Sequence, residues 1–113
     1  MESISEKAYG ARAFPELSAL VDALDALSDE LFAELGGDVL TIEFEDQTRY
    51  VVNSHLAARQ IWLAAERSAW HFDVDAEGHW LDRRTGAELW AKLQELLSKK
   101  LGRPITLQRK LRA

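Results

Sequence analysis

The sequence predicts an α+β fold, two helices packed on one face of an antiparallel β-sheet. Three observations point to it. Leu17, Leu20, Val21, Leu24, Leu27 and Leu31 recur at helical spacing; after Asp38 the apolar period changes to two; and Leu89, Trp90, Leu93, Leu96, Leu97 and Leu101 form a second helical stripe near the end. A chain of 113 residues can bury one hydrophobic core, so one domain is expected.

Met1 to Ala13 carries little apolar content and reads as a disordered N-terminal segment, with the folded domain at 14–107 and a basic tail at 108–113. Pro15 suits the first position of a helix, and the leucine stripe follows it. Asp22, Asp25 and Asp29, at i, i+3 and i+7, would line one flank of that stripe. The helical spacing still holds at Phe32 and Leu35, so residues 28–35 read as well for helix as for strand. Gly36-Gly37 could end a helix through a left-handed cap or close a hairpin turn. Leu40, Ile42 and Phe44 then alternate with Thr41, Glu43 and Glu45, as in a half-buried strand. Asp46-Gln47-Thr48 reads as a turn into Arg49 to Asn53, and strand-like runs follow at Gln60 to Ala65, Ala69 to Val74 and His79 to Leu81. Such short spacings suit an antiparallel meander. In the last helix Thr85 reads as the N-cap with Glu88 completing a capping box, and Gly102-Arg103-Pro104 ends it. Ile105 to Leu107 reads as a short added edge segment.

Charge is distributed unevenly around a formal net value of −5. Between Phe14 and Asp46 lie Glu16, Asp22, Asp25, Asp29, Glu30, Glu34, Asp38, Glu43, Glu45 and Asp46, with no Lys or Arg, whereas from Lys92 onward only Glu95 is acidic among seven basic residues. A polarised molecule is expected, suited to cations or a basic partner surface and unsuited to nucleic acid, whose binding draws on Lys and Arg. No apolar run approaches the roughly 20 residues that cross a bilayer, and Met1 to Gly10 lacks the pattern of a secretory signal, so no membrane association and a cytoplasmic location are expected. The absence of cysteine excludes disulfides, thiolate metal sites and a cysteine nucleophile built from this chain alone.

Catalytic constellations are missing. Neither helix offers the Glu-x-x-His pairs of a di-iron site, His55, His71 and His79 are scattered, and no phosphate loop or nucleophile elbow occurs. Two candidates remain. Asp22, Asp25 and Asp29, with Glu30, Glu34, Glu43 and Glu45 nearby, offer hard oxygen ligands to divalent or ferric ions, or are simply the solvated face of an amphipathic helix. Asn53, Gln60 and Trp62 form the other: if Ile61 and Leu63 face the core, Gln60 and Trp62 face out, and an indole beside amides is a common make-up for a protein contact. Trp70 and Trp90 fall in step with core residues, and Trp80 is left open.

The middle of the chain resembles the frataxins, the bacterial CyaY type most closely, through Val39-Leu40-Thr41-Ile42-Glu43-Phe44-Glu45, Asn53, Arg59-Gln60-Ile61-Trp62-Leu63-Ala64, His71-Phe72-Asp73, Trp80, Asp82-Arg83 and Thr85-Gly86-x-Glu88-Leu89-Trp90. The resemblance implies the same α-β sandwich and a non-enzymatic accessory or regulatory protein of iron–sulfur cluster assembly. Such a protein binds a cysteine desulfurase and, in some settings, the cluster scaffold protein, and works as a monomer that holds no cluster itself. It also implies weak Fe2+ or Fe3+ binding on an acidic ridge of the first helix and neighbouring strand, and hence the alternative of an iron chaperone, a storage protein or a weak ferroxidase. Asn53, Gln60 and Trp62 match the family's partner-contact patch; Asp22, Asp25 and Asp29 match only by lying on the first helix. The segment between that helix and Gly36 is shorter than in bacterial frataxins, and the acidic ridge is sparser.

Overall fold

The computed structural model describes residues 4–109, and its first helix begins well ahead of Pro15. Ser5 accepts a hydrogen bond from the Ala8 N–H at 3.1 Å and caps α1, Glu6–Leu24. The expectation of disorder over residues 1–13 is therefore corrected for residues 6–13; residues 1–3 lie outside the described residues. The reason is burial, since Tyr9 and Ala13 extend the stripe of Leu17, Leu20 and Leu24 toward the N-terminus and are themselves buried. Pro15 sits inside α1 rather than at its start. It cannot donate to the carbonyl of Ala11, a loss that packing on both sides of it offsets.

After Leu24 the chain tightens into a 3-10 turn, Asp25–Leu27, and then enters β1, Leu31–Gly36. Residues from Leu31 on are thus strand, although their leucines keep helical spacing. β1 pairs with β2, Val39–Phe44, in unbroken register from Leu31 opposite Phe44 to Gly36 opposite Val39. Gly37, at φ +63°, turns the two-residue loop between them, a conformation that disfavours a β-carbon. Pairing along a whole strand outweighs the weak local preference for helix.

β3 (Arg49–His55), β4 (Gln60–Ala65), β5 (Ser68–Val74) and β6 (Trp80–Asp82) complete a six-stranded sheet in which sequence neighbours are spatial neighbours and every pair is antiparallel. One face turns inward. Leu40, Val52 and Leu63 form one buried row, Ile61 and Phe72 lie in the next, and α1 and α2 (Leu89–Leu101) cover them. No helix in the chain is long and apolar enough to cross a membrane, among the described residues.

The cap of α2 differs from the expected box. Glu88 is itself the N-cap, accepting from the N–H groups of Trp90 (2.9 Å) and Ala91 (3.0 Å), while Thr85 Oγ1 accepts from Ala87 N–H. Asp82 occupies the turn that Thr85 was expected to organise: its Oδ1 accepts from Arg84 and Thr85 N–H and its Oδ2 from His71 N–H. Gly102 ends α2 with positive φ, as expected.

Beyond Gly102 the chain adds no strand. Ile105 and Leu107 are buried, and their N–H groups donate to Ser98 Oγ and Gln94 Oε1, both at 2.9 Å, so the segment lies along α2. Arg109 ends it with an ion pair to Glu16 of α1 and a position 4.8 Å from the Trp90 ring. Glu16 is buried, and the same oxygen accepts from Trp90 Nε1 at 2.6 Å. The tail expected at 108–113 is thus anchored at Arg109, and residues 110–113 lie outside the described residues. Trp90 and Trp70 are half-buried rather than core; Lys92 Nζ lies 5.3 Å from the Trp70 ring. Trp80 is buried edge-on to Tyr9.

Truncating Leu107 to Ala removes a buried side chain of the core from the segment that lies along α2, and should lower the unfolding free energy by about 2–4 kcal/mol in urea titration. Asp82 gives a pH signature. Burial pushes its carboxyl up, the hydrogen bonds from Thr85, His71 and Arg84 N–H outweigh that, and the result lies below the usual carboxylate value. A depressed folded-state pKa stabilises above the unfolded value near 3.9 and is lost as pH falls through the folded one. Asp82→Asn should therefore cost about 1–2 kcal/mol at pH 7, with the gap to the unsubstituted chain narrowing below about pH 4.

Candidate functional site

The sheet has one face that neither helix covers. Alternation along β4 buries Ile61 and Leu63 and turns Gln60 and Trp62 onto that open face. Asn53 of β3 is the direct cross-strand partner of Trp62, and His71 of β5 is its partner on the other side. The three residues expected as a contact patch are therefore brought together.

Trp62 is more enclosed than an outward indole need be. His55 stacks against one side of it (ring centroids 4.1 Å apart, planes at 15°) and His71 against the other (4.4 Å, 23°). Its Nε1–H donates to Gln60 Oε1 at 2.9 Å, Gln60 Nε2 donates to Asp73 Oδ1 at 3.2 Å, and Arg83 Nε lies 3.0 Å from Asp73 Oδ2. Stacking and this polar chain together restrict the indole, so a partner meeting the face meets a pre-set shape. Beside Trp62 a groove of about 220 Å³ opens, lined in part by Gln60, His71, Asp73, Arg83 and Arg84.

The expected metal ligands are placed differently. Only Asp22 lies on α1, because the helix ends at Leu24; Asp25 opens the 3-10 turn, Asp29 stands in the turn before β1, and the helical line of three aspartates is not formed. Glu30 pairs with Arg103, and the hydrogen bond from that guanidinium holds its carboxyl below the usual range. Glu34 and Glu43 are exposed on the open face of β1 and β2, Glu43 opposite Phe32 on one side and Arg49 on the other, and Glu45 follows the end of β2. Among the described residues no three of these seven acids bring their oxygens within 4.8 Å of one another. They amount to a surface of separate hard-oxygen donors, able to hold an ion loosely but not to enclose one.

Asp75, Glu77 and His79, in the β5–β6 turn, do meet that distance, and sequence reasoning passed over them. Asp75 Oδ1 accepts from the N–H groups of Glu77 and His79, while His79 Nδ1 lies 3.4 Å from Asp75 Oδ2 and 3.5 Å from Glu77 Oε2. All three are exposed, so the group could hold a divalent cation or serve only to shape the turn. The Asp-x-Glu-x-His alternation was the visible signal. His55 and Asp73 were also missed as neighbours of the patch, since only strand register reveals that they flank Trp62 and Gln60.

A family model described as a frataxin-like domain matches residues 2–103. An iron–sulfur cluster assembly protein CyaY of Paraburkholderia phytofirmans is 36% identical over 102 residues, covering 90% of this chain and 96% of the relative. Among solved structures, a frataxin of Psychromonas ingrahamii superposes with a TM-score of 0.84 at 22% identity, over 94% of this chain and 100% of the other. A trimeric frataxin of the yeast Saccharomyces cerevisiae, complexed with ferrous, gives 0.65 at 28% identity, over 93% and 89%. With the six-stranded meander, its two helices and an alignment that spans nearly the whole chain, the protein belongs to the frataxin-like family.

Proposed function

We propose that this chain is a non-enzymatic accessory protein of iron–sulfur cluster assembly that binds a cysteine desulfurase through its acidic side and presents the Trp62 face to the cluster scaffold. The observation that carries this reading is the open sheet face, where Asn53, Gln60 and Trp62 lie together and His55 and His71 hold the indole in place. The name borne by the relatives supplies the process. A half-buried indole rimmed by amides has the composition of an interface hot spot, and its restriction lowers the ordering cost of association.

The acidic side supports the first contact. Asp25, Asp29, Glu34, Glu43 and Glu45 form no ion pair among the described residues and surround the end of α1 and the β1–β2 hairpin, leaving a negative field for a basic surface. A pull-down with the desulfurase and scaffold should succeed at low salt and weaken as ionic strength rises, because such charges are screened beyond about 8–10 Å. Trp62→Arg should weaken scaffold capture about 30-fold, and Asp22, Asp25 and Asp29 changed together to Asn should weaken desulfurase capture. Failure of the unsubstituted chain to capture either protein at low salt would remove the reading.

A second reading, an iron chaperone, storage protein or weak ferroxidase, is favoured by the similarity to a frataxin complexed with ferrous. Here Asp22, Asp25, Asp29, Glu34, Glu43 and Glu45 would hold iron as cargo, and Glu30 would join them only by leaving Arg103. Their separation implies weak binding, with Kd on the order of 10⁻⁴ M or above. Ferrous titration followed by NMR should broaden signals from residues 22–34 and 43–45; spectra unchanged in those segments at several equivalents would eliminate it.

A further inference from the structure

The groove beside Trp62 presents hydrogen-bond donors, and both of its carboxylates already hold donors of their own. Asp73 is acceptor-only as a carboxylate, so Gln60 must turn its NH₂ toward Asp73, and this orients Gln60 Oε1 at the indole N–H. The orientation of the amide is thus fixed by chemistry on both sides of it. Asp73 Oδ2 is taken by Arg83 Nε, and Asp82, only 4% exposed, has its oxygens taken by three backbone N–H groups. On the donor side, what remains to meet a ligand is the second N–H of Gln60, the terminal nitrogens of Arg83, whose side chain is 79% exposed, and those N–H groups of Arg84 not used by its bond to Ala69 O, with the His71 ring on the wall beside them.

We infer that this groove receives a carboxylate side chain from an acidic segment of the protein that docks on the Trp62 face, with Arg83 and Arg84 as its charged donors and Gln60 as its neutral one. The inference rests on the contact-face reading above and gives it a direction: the open face selects acidic segments, whereas the α1 end and the β1–β2 hairpin select basic ones. Charge-assisted bonds from guanidinium to carboxylate are the strong kind and bidentate in geometry, and the exposed Arg83 side chain keeps its terminal nitrogens open for one. A groove that lies against the proposed contact face, rather than enclosed within the core, suits a side chain carried on a partner's surface better than a free small anion.

The probe is a capped pentapeptide, acetyl-Ala-Glu-Ala-Glu-Ala-amide, compared with its Gln counterpart and with inorganic phosphate at matched ionic strength, each titrated into the 15N-labelled full chain. The Glu peptide should shift the Gln60 side-chain, Arg83 and Arg84 Nε–H and Trp62 indole signals in a saturable way, and the Gln peptide should not. Arg84→Gln leaves the Gln60–Asp73 pair intact and should weaken the Glu peptide about fivefold; Arg83→Gln with it should weaken it tenfold or more. Equal shifts from both peptides, equal affinity for phosphate, or shifts confined to Lys99, Lys100 and Arg103 would overturn the inference. The two levels separate in the scaffold pull-down. Capture lost in Trp62→Arg but unchanged in Arg84→Gln keeps the contact face and overturns the groove, whereas peptide binding at the groove with capture indifferent to Trp62→Arg keeps the groove and removes the contact face.

Discussion

Side-chain alternation across a register-locked meander is the constraint on which the rest of the molecule depends. Because each strand pairs with its sequence neighbour, one choice of face propagates from β1 to β6. Leu40, Val52 and Leu63 fall under the helices, and in the adjoining row Asn53, Trp62 and His71 fall on the open side. A slip of one residue in β4 would bury Gln60 and Trp62 and expose Ile61 and Leu63, so the core enforces the site. The stacked row of His55, Trp62 and His71 exists only because three strands agree on that choice.

The charge asymmetry of the sequence survives folding in an altered form. Lys100 reaches Asp46, Arg103 reaches Glu30 and Arg109 reaches Glu16, so the basic C-terminal stretch folds back on the acidic half and neutralises part of it. What persists is a smaller acidic region around the α1 end and the first hairpin. Glu30 shows the consequence for metal chemistry: an acid counted as a ligand by sequence is held as the partner of an arginine 73 residues away.

Much of this architecture was legible in the sequence, and the misreadings have physical causes. Period-two alternation marked β2 and β4 correctly because one face of each strand is buried and the other wet. Gln60 and Trp62 were placed outward by the same logic. α1 was begun too late because Pro15 imitates a first helical residue and Tyr9 looks isolated until the β-sheet it packs on is known. β1 was ambiguous because leucines at 27, 31 and 35 satisfy both periods, and only its pairing with β2 decides. The cap moved from Thr85 to Glu88 because Asp82, three residues before Thr85, takes over the preceding turn by accepting from Arg84 and Thr85 N–H, while its other oxygen is held by His71 N–H of β5, which only strand pairing reveals. The expected aspartate line failed with the helix that was to carry it.

The Glu16–Trp90–Arg109 contact has a kinetic meaning as well. A single buried carboxylate oxygen joins segments 93 residues apart, whereas the sheet is assembled wholly from neighbours in the chain. Local hairpins can form early, but a contact with so large a loop to close forms after the sheet and both helices are in place. Its stabilisation then falls on the barrier to opening rather than on the barrier to folding. The C-terminal strap is in that sense a latch, governing how long the finished molecule stays closed and leaving the speed of its assembly to the strands.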